Sequence, residues 1–273
     1  MKKFSFRICI LLALIFVSCE EVIDVDLDTA APRLVVDASI KWVKDTDGNE
    51  QLIRLTTTAP YFSDSVPVVS GATVFVTDDN NNTFQFTEDP QSGYYTCSNF
   101  VPTINATYTL TIISQGQTYT ATETLKPVPS IDFVEQNNEG GFTGDQIEIK
   151  AFFTDNAATD DFYLFGFLPT YSAISTFDLA EDRFFQGNQI FSLFGSEDLS
   201  SDDEVLISIM GISERYYNYM NILIAIAGSN GGSPFQSPPA TVRGNIINVT
   251  DESNYALGYF NLSEVAVENY DVQ

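Results

Sequence analysis

The chain contains no histidine among its 273 residues. Without histidine, neither a Ser-His-Asp triad nor a Cys-His pair can form, and histidine-ligated zinc or copper centres are excluded. Catalysis by carboxylates alone, as in glycosidases, stays open, but no carboxylate pair stands out in the sequence. The sequence therefore predicts a protein that is not an enzyme and that has no cofactor and no metal site.

Basic residues are scarce: 12 lysines and arginines face 37 aspartates and glutamates, a net charge of −25. Such a surface repels phosphates, so a nucleic-acid partner is excluded. It also repels an anionic membrane surface, so any attachment to a membrane has to come from another source. A hydrophobic content of 44% nevertheless indicates a folded chain.

No apolar run is long enough to cross a membrane. Lys2, Lys3 and Arg7 precede the ten apolar residues 8–17, whereas a spanning helix needs about 20. This pattern predicts a cleavable export signal over residues 1–18. The sequence Phe16-Val17-Ser18-Cys19 is similar to the bacterial lipobox, with Phe16 in place of the usual leucine, so we expect Cys19 to be lipidated. A plain secretory signal is the alternative.

Cysteine is nearly absent, with three in the chain. Cys9 leaves with the signal and Cys19 is the lipidation candidate, which leaves Cys97 without a partner. The exported fold is therefore expected to lack an intramolecular disulfide. We expect Cys97 to lie in a sheet as a small apolar residue.

Short β segments follow an acidic tether predicted at residues 19–32. Between residues 33 and 128 about seven segments rich in threonine and aromatic residues recur at regular spacing, separated by Asp, Asn and Gly turns. This pattern is typical of an immunoglobulin-like β-sandwich. Pro127 and Pro129 then mark a predicted domain boundary.

The remaining residues, 129–273, predict a second β-rich domain with one helix. Residues 137–144 are expected to form a glycine-rich loop, and residues 172–194 are ambiguous. The helix is predicted at about 214–227, with Ser213 as N-cap and Gly228 as C-cap. The fold class is therefore mainly β.

Acidic and aromatic clusters are the candidate binding residues. The loop Asp45–Glu50 fails the spacing of a calcium-binding EF-hand and favours a hairpin turn. We expect two groups of acidic residues to lie in solvated loops, and the alternative is that they bind a hard cation weakly. They are Asp155 with Asp160-Asp161, and Glu197-Asp198 with Asp202-Asp203-Glu204. Aromatic clusters favour a place in the core, with a platform for a glycan or an apolar ligand as the alternative. They are Tyr216, Tyr217 and Tyr219, and Phe184-Phe185 with Phe191.

Several short motifs occur in a characteristic order along the chain. They are Cys19-Glu20-Glu21, Leu34-Val35-Val36-Asp37-Ala38, Tyr216-Tyr217, Pro234-Phe235 with Pro238-Pro239, Gly244-Asn245-Ile246 and Leu257-Gly258-Tyr259-Phe260. In this order the chain resembles a family of Bacteroidetes lipoproteins called domain of unknown function 4249. For Gly244 and Gly258, we expect a structural role in close backbone approach.

The family resemblance implies an outer-membrane lipoprotein associated with a TonB-dependent transporter. Glu20-Glu21 after the cysteine is similar to surface-export signals of these bacteria and implies the outer face of that membrane. We expect a non-enzymatic accessory or ligand-capture component of a nutrient transporter, held by its N-terminal lipid. The alternative is a stand-alone carbohydrate-binding or adhesive surface module.

Overall fold

The computed structural model describes residues 31–60, 63–228 and 242–273. The signal peptide, Cys19, nearly all of the acidic tether and the Pro234–Pro239 motif lie outside these residues. Residues Pro32–Gln273 form one compact unit. The strands are β1 Leu34–Val43, β2 Gln51–Thr57, β3 Thr73–Asp78, β4 Thr83–Glu88, β5 Tyr94–Cys97, β6 Thr107–Ser114, β7 Gln117–Thr124, β8 Ile131–Gly140, β9 Gln146–Thr154, β10 Phe162–Pro169, β11 Thr176–Glu181, β12 Gln189–Ser196, β13 Glu204–Ile212, β14 Ile247–Asn248 and β15 Leu257–Asp271. A 3-10 turn covers Asp182–Phe184, and helix α1 covers Glu214–Gly228.

The first seven strands form an immunoglobulin-like sandwich, as the sequence predicts. Strands β1, β2, β5 and β4 pair in that order, and β3, β6 and β7 pair in a second layer. This is the ABED and CFG order of a constant-type immunoglobulin domain. Alternate residues point inward, which is why the period-2 pattern of the sequence located these strands. Cys97 is buried in this core on β5 and is a free thiol, which confirms the sequence prediction.

A tyrosine in β6 gives a further mark of this fold. The hydroxyl of Tyr108 donates to the carbonyl of Val101 at 2.9 Å and accepts from the amide of Thr103 at 2.9 Å. A tyrosine near the start of strand F that bonds back to upstream backbone is the tyrosine corner of immunoglobulin-like sandwiches. Burial raises the pKa of the Tyr108 hydroxyl, so it remains a neutral hydrogen-bonding group.

The second half of the chain builds a second layered core. Strands β11, β10, β13 and β15 form one layer, and the separate sheet β12–β9–β8 covers it. Phe153 of β9 lies between them, with its ring centroid 5.0 Å from that of Tyr163 and 5.3 Å from that of Phe165. The ambiguous residues 172–194 supply β11, the 3-10 turn and the start of β12. The prediction of a loop at 137–144 was wrong for residues 137–140, because Gly140 still pairs with Gln146 and so extends β8.

Helix α1 lies on the other side of the β10–β13–β15 layer. Met220 packs with Leu164, Met210 and Val265 in a small third cluster. Ser213 caps the helix as predicted, because its hydroxyl accepts from the amide of Tyr216 at 3.2 Å. The helix ends at Gly228, the predicted C-cap residue.

Strand β15 joins the two cores. It pairs parallel with β1 from Val35↔Leu257 to Val43↔Val265, and antiparallel with β13. Phe260 and Leu262 point into the first core, and Ala266, on the same side of the sheet, points into the second. The strand is 15 residues long, and its pairing puts residues from both sides of position 128 into one sheet. The predicted domain boundary at 128/129 stays a prediction.

Two glycines make this junction possible, as expected from the sequence. Gly258 has φ +90°, and a Cβ there would lie 1.9 Å from the carbonyl oxygen of Val36. A Cβ on Gly244 would lie 1.6 Å from the carbonyl oxygen of Gly258. Three backbone segments are therefore in direct contact, with no room for a side chain between them.

The replacement Gly258→Ala tests how much the junction depends on this contact. We expect the free energy of unfolding to fall by about 3 kcal/mol or more, because both the positive φ and the clash with Val36 oppose alanine. Urea unfolding measures the change. Gly116→Ala is the matched control, since Gly116 has φ +75° but open space around its Cβ position, and we expect it to cost about 1 kcal/mol. Equal losses of unfolding free energy in the two variants would show that the close approach of Gly258 to Val36 contributes nothing to stability.

Candidate functional site

Three phenylalanines form a row across the outer face of the β8–β9–β12 sheet. Phe152 of β9 pairs with Phe133 of β8 on one side and Phe191 of β12 on the other. Phe133 is 43% exposed and Phe191 is 45% exposed, while Phe152 is half-buried between them. We call these residues the phenylalanine row. Leu193, 45% exposed on the same face of β12, extends the apolar surface.

The ring geometry of the phenylalanine row shows what it presents to solvent. The rings of Phe133 and Phe152 are stacked, with centroids 4.5 Å apart and planes 15° apart. At this distance one face of each ring is covered by the other ring. Phe191 is tilted by 51° against Phe152, and the Lys150 ammonium lies 5.0 Å from its centroid. The row is therefore an apolar ridge rather than a flat platform of free ring faces.

Polar groups border the phenylalanine row. Asp132 accepts hydrogen bonds from the Thr154 hydroxyl and the Gln189 amide, each at 2.7 Å. On the other side, Lys150 stands in register between Glu135 and Leu193. An apolar centre with a polar rim is typical of a protein–protein contact.

The aromatic clusters singled out from the sequence do not form one platform. Tyr216 and Tyr219 pack against Tyr259, with ring centroids 4.8 Å apart in each pair. Tyr217 packs against Phe162 with centroids 5.2 Å apart. These tyrosines serve helix packing, as the favoured interpretation of the sequence predicts.

The phenylalanines of the sequence-derived clusters separate as well. Phe185 packs against the second core, Phe184 is 85% exposed on the 3-10 turn, and Phe191 belongs to the phenylalanine row. Sequence reasoning missed Phe133 and Phe152, which are far apart in the chain and come together only through strand register.

Three carboxylates form a second candidate, which we call the aspartate triad: Asp155, Asp161 and Asp182. One oxygen from each lies within 4.8 Å of the other two. Asp155 and Asp182 are buried, at 5% and 4% exposure. Of the predicted group, Asp155 and Asp161 are brought together, whereas Asp160 points outward. Asp182 was missed because it lies within residues 172–194, whose structure was ambiguous in the sequence.

Backbone and hydroxyl groups hold the aspartate triad in place. Asp155 accepts from the Tyr163 hydroxyl at 2.5 Å and from the Gly187 amide at 2.8 Å, and Asp182 accepts from the Asp161 amide at 2.7 Å. Burial raises the pKa of the Asp161 carboxyl, and the charges of Asp155 and Asp182 raise it further. Three carboxylates this close either share a proton among them or bind a hard cation through their oxygen atoms.

In the second predicted acidic group, neighbouring residues supply hydrogen bonds to the Asp203 carboxylate. The side chain of Asp203 accepts from the amide and hydroxyl of Ser200, each at 2.9 Å, and from the Thr170 hydroxyl. These hydrogen bonds lower the pKa of the Asp203 carboxyl. The predicted turn at Asp45–Glu50 connects β1 to β2 and has positive φ at Asp45 and Gly48, which confirms a hairpin loop.

Fold and surfaces together define a mainly β protein with an immunoglobulin-like sandwich and one exposed apolar ridge. The chain belongs to the family Domain of unknown function (DUF4249), whose model matches residues 20–269. A search among curated proteins finds no match. None of the helices in the described part of the chain has the length and apolarity needed to span a membrane.

Several solved structures are similar to the chain at low sequence identity. A two-domain fibronectin type III segment of chicken tenascin is 12% identical, with 66% of this chain and 90% of that chain covered and a TM-score of 0.22. A DUF4785 family protein from Legionella pneumophila is 8% identical, with 65% and 52% covered and a TM-score of 0.26. The FN1–FN3 domains of chicken CNTN1 are 11% identical, with 67% and 62% covered and a TM-score of 0.27. At these scores the fold assignment depends on the strand order described above.

The replacement Asp161→Asn tests the electrostatics of the aspartate triad. A carboxyl whose pKa is raised by folding opposes the folded state above that pKa, and the penalty disappears as the pH falls through it. We therefore expect Asp161→Asn to raise the free energy of unfolding at pH 7.5 by up to about 1 kcal/mol after solvent screening. The gain is expected to shrink toward pH 4.

Urea unfolding in the presence of EDTA at both pH values measures the effect. The neighbouring, exposed Asp160→Asn is the matched control and is expected to change stability by less than about 0.5 kcal/mol. A loss of stability in Asp161→Asn that is the same at both pH values would contradict charge repulsion within the triad.

Proposed function

We propose that this protein is a non-catalytic, lipid-anchored component of the outer-membrane surface. It acts as an accessory or ligand-capture partner of a TonB-dependent nutrient transporter. The observation that carries the proposal is the phenylalanine row, an apolar ridge exposed on an acidic protein. Exposed contiguous apolar surface marks interaction sites in soluble domains.

The ring geometry of the phenylalanine row favours a protein as the binding partner. One face of Phe133 and one face of Phe152 are covered by their stacking, and the Lys150 ammonium lies over the ring of Phe191. A sugar ring needs a free aromatic face on which to lie, whereas an apolar side chain from another protein packs well against ring edges. This supports the transporter partner over the alternative, a stand-alone carbohydrate-binding module.

Lipid anchoring at Cys19 supports the same proposal. A chain running from Cys19 to Arg33 reaches at most about 50 Å, so the folded unit stays close to the membrane surface. Confinement raises the effective concentration of the partner, and a small apolar contact then suffices for association. The absence of histidine and the net charge of −25 agree with a binding role and disfavour catalysis and nucleic-acid binding.

Co-purification from detergent-solubilised membranes of the native cells tests the partner. We expect a transporter to accompany the tagged protein, and the double variant Phe133→Ser/Phe191→Ser to reduce its recovery at least about fivefold, because interface anchors of this size contribute 1 kcal/mol or more. Phe184→Ser removes an equally apolar, exposed ring outside the row and is the matched control. Unchanged recovery with the double variant, or no accompanying outer-membrane protein, would overturn the proposal.

The variant Cys19→Ala tests the anchor. Without the acceptor thiol no lipid can be attached, so we expect the protein to move from the membrane fraction to the soluble fraction. Fractionation followed by detection of the protein in each fraction measures this shift. If Cys19→Ala still sediments with membranes after a high-salt wash, Cys19 is not the anchor.

A further inference from the structure

A cleft lies between helix α1 and the segment that precedes β14. It has a volume of about 320 Å³ and carries two arginines and two tyrosines in its walls. We call it the arginine cleft and define it by Arg215 and Tyr219 of α1, Arg243, and Tyr259 of β15. It lies on the α1 side of the β10–β13–β15 layer, whereas the phenylalanine row lies on the sheet that covers the opposite side.

Among the residues that the structure describes, Arg215 and Arg243 form no salt bridge with a carboxylate. Within the described ranges, the salt bridges are Lys44 with Glu264 and Arg183 with Glu181. Residues 229–241, between α1 and Arg243 in the sequence, contain no aspartate or glutamate. Both arginines are exposed and line one cleft. In the described part of the chain, neither has a carboxylate oxygen within 4.0 Å, although the full sequence contains 37 acidic residues.

Stacking orients the guanidinium group of Arg243. Its central carbon lies 3.8 Å from the ring centroid of Tyr255, and that of Arg33 lies 3.7 Å from the same centroid. Two guanidinium groups cannot share one ring face at this distance, so they occupy opposite faces. A guanidinium group stacked on a ring keeps its N–H edge free for a planar acceptor.

The backbone that carries Arg243 is fixed to β15. Gly244 is in contact with Gly258, as described above. The Asn245 side chain donates to the Phe260 carbonyl at 2.8 Å and accepts from the Phe260 amide at 2.9 Å. Both bonds are buried. Because this wall is rigid before any ligand arrives, little conformational entropy is lost on binding.

The opposite wall is aromatic, and burial together with the nearby charge of Asp37 raises the pKa of the Tyr219 hydroxyl. The rings of Tyr219 and Tyr259 have centroids 4.8 Å apart and are tilted by 45°. The Tyr259 hydroxyl donates to buried Glu123, which also accepts from Ser213 at 3.0 Å. Burial raises the pKa of the Tyr259 hydroxyl, so this hydroxyl itself adds no negative charge. The Glu123 carboxylate is already bound by two hydroxyl groups.

We propose that the arginine cleft binds a small organic carboxylate with a ring or other compact body. The forked N–H groups of arginine match the two oxygens of a carboxylate, and such charge-assisted pairs are the strong hydrogen bonds of proteins. The tyrosine wall accommodates the body of the ligand, and the volume is in the range of small-molecule sites. This site is independent of the phenylalanine row and of the transporter contact.

Calorimetric titration of the detergent-solubilised protein tests the ligand class. Glucuronate and benzoate are the carboxylate probes, and glucose and benzyl alcohol are their neutral counterparts. We expect at least one carboxylate to bind about tenfold or more tightly than its counterpart, with an affinity that weakens as salt is added. Inorganic phosphate is the third arm, and tighter binding of phosphate than of both carboxylates would overturn the assignment to carboxylates.

The variants Arg243→Gln and Arg215→Gln test the site itself. Each is expected to weaken carboxylate binding at least about tenfold, since each removes a charged donor. Arg183→Gln, whose guanidinium group pairs with Glu181 instead, is the matched control and should bind normally. Unchanged affinity in Arg243→Gln, or no saturable carboxylate binding up to about 10 mM, would overturn the proposal. Transporter recovery should be unchanged in Arg243→Gln, which separates this result from the proposed function.

Discussion

The parallel pairing of β15 with β1 is the constraint on which the rest of the structure depends. Through this pairing one sheet runs from the immunoglobulin-like sandwich into the second layered core. The pairing requires the backbone of Gly258 to touch that of Val36, and the contact between Gly244 and Gly258 brings Arg243 to the arginine cleft. A local condition on two glycines therefore determines both the junction of the cores and the position of a candidate binding site.

Charge is distributed unevenly around this framework. Glu264 of β15 pairs with Lys44 at 2.9 Å and accepts from the Val128 amide, so an ion pair and a hydrogen bond secure the point where the chain passes between the cores. The aspartate triad gathers negative charge in the second core, while the arginine cleft presents positive charge beside α1. The triad and the cleft thus place opposite charges at two separate positions in a strongly acidic protein.

Sequence patterns located most of the elements, because strand alternation and helix periodicity are local properties. The residues of β5 and the N-cap Ser213 could be read directly, as could the structural role of Gly258. The phenylalanine row could not, because Phe133, Phe152 and Phe191 are neighbours only through the register of three strands. The aspartate triad could not be predicted for a similar reason. Asp182 comes close to Asp155 only through the fold of β10 and β11, and no spacing in the sequence indicates this contact.

The order of the strands has a consequence for how the chain acquires its structure. Val35 pairs with Leu257, so β1 gains its second neighbour only when a segment more than 200 residues away arrives. The entropy of closing such a loop grows slowly with its length, but contacts of this separation form late in folding. Until then one edge of β1 stays unpaired and open to association with other chains. The strand nearest the proposed lipid anchor is among the first to be synthesised, yet it is among the last to complete its hydrogen bonds.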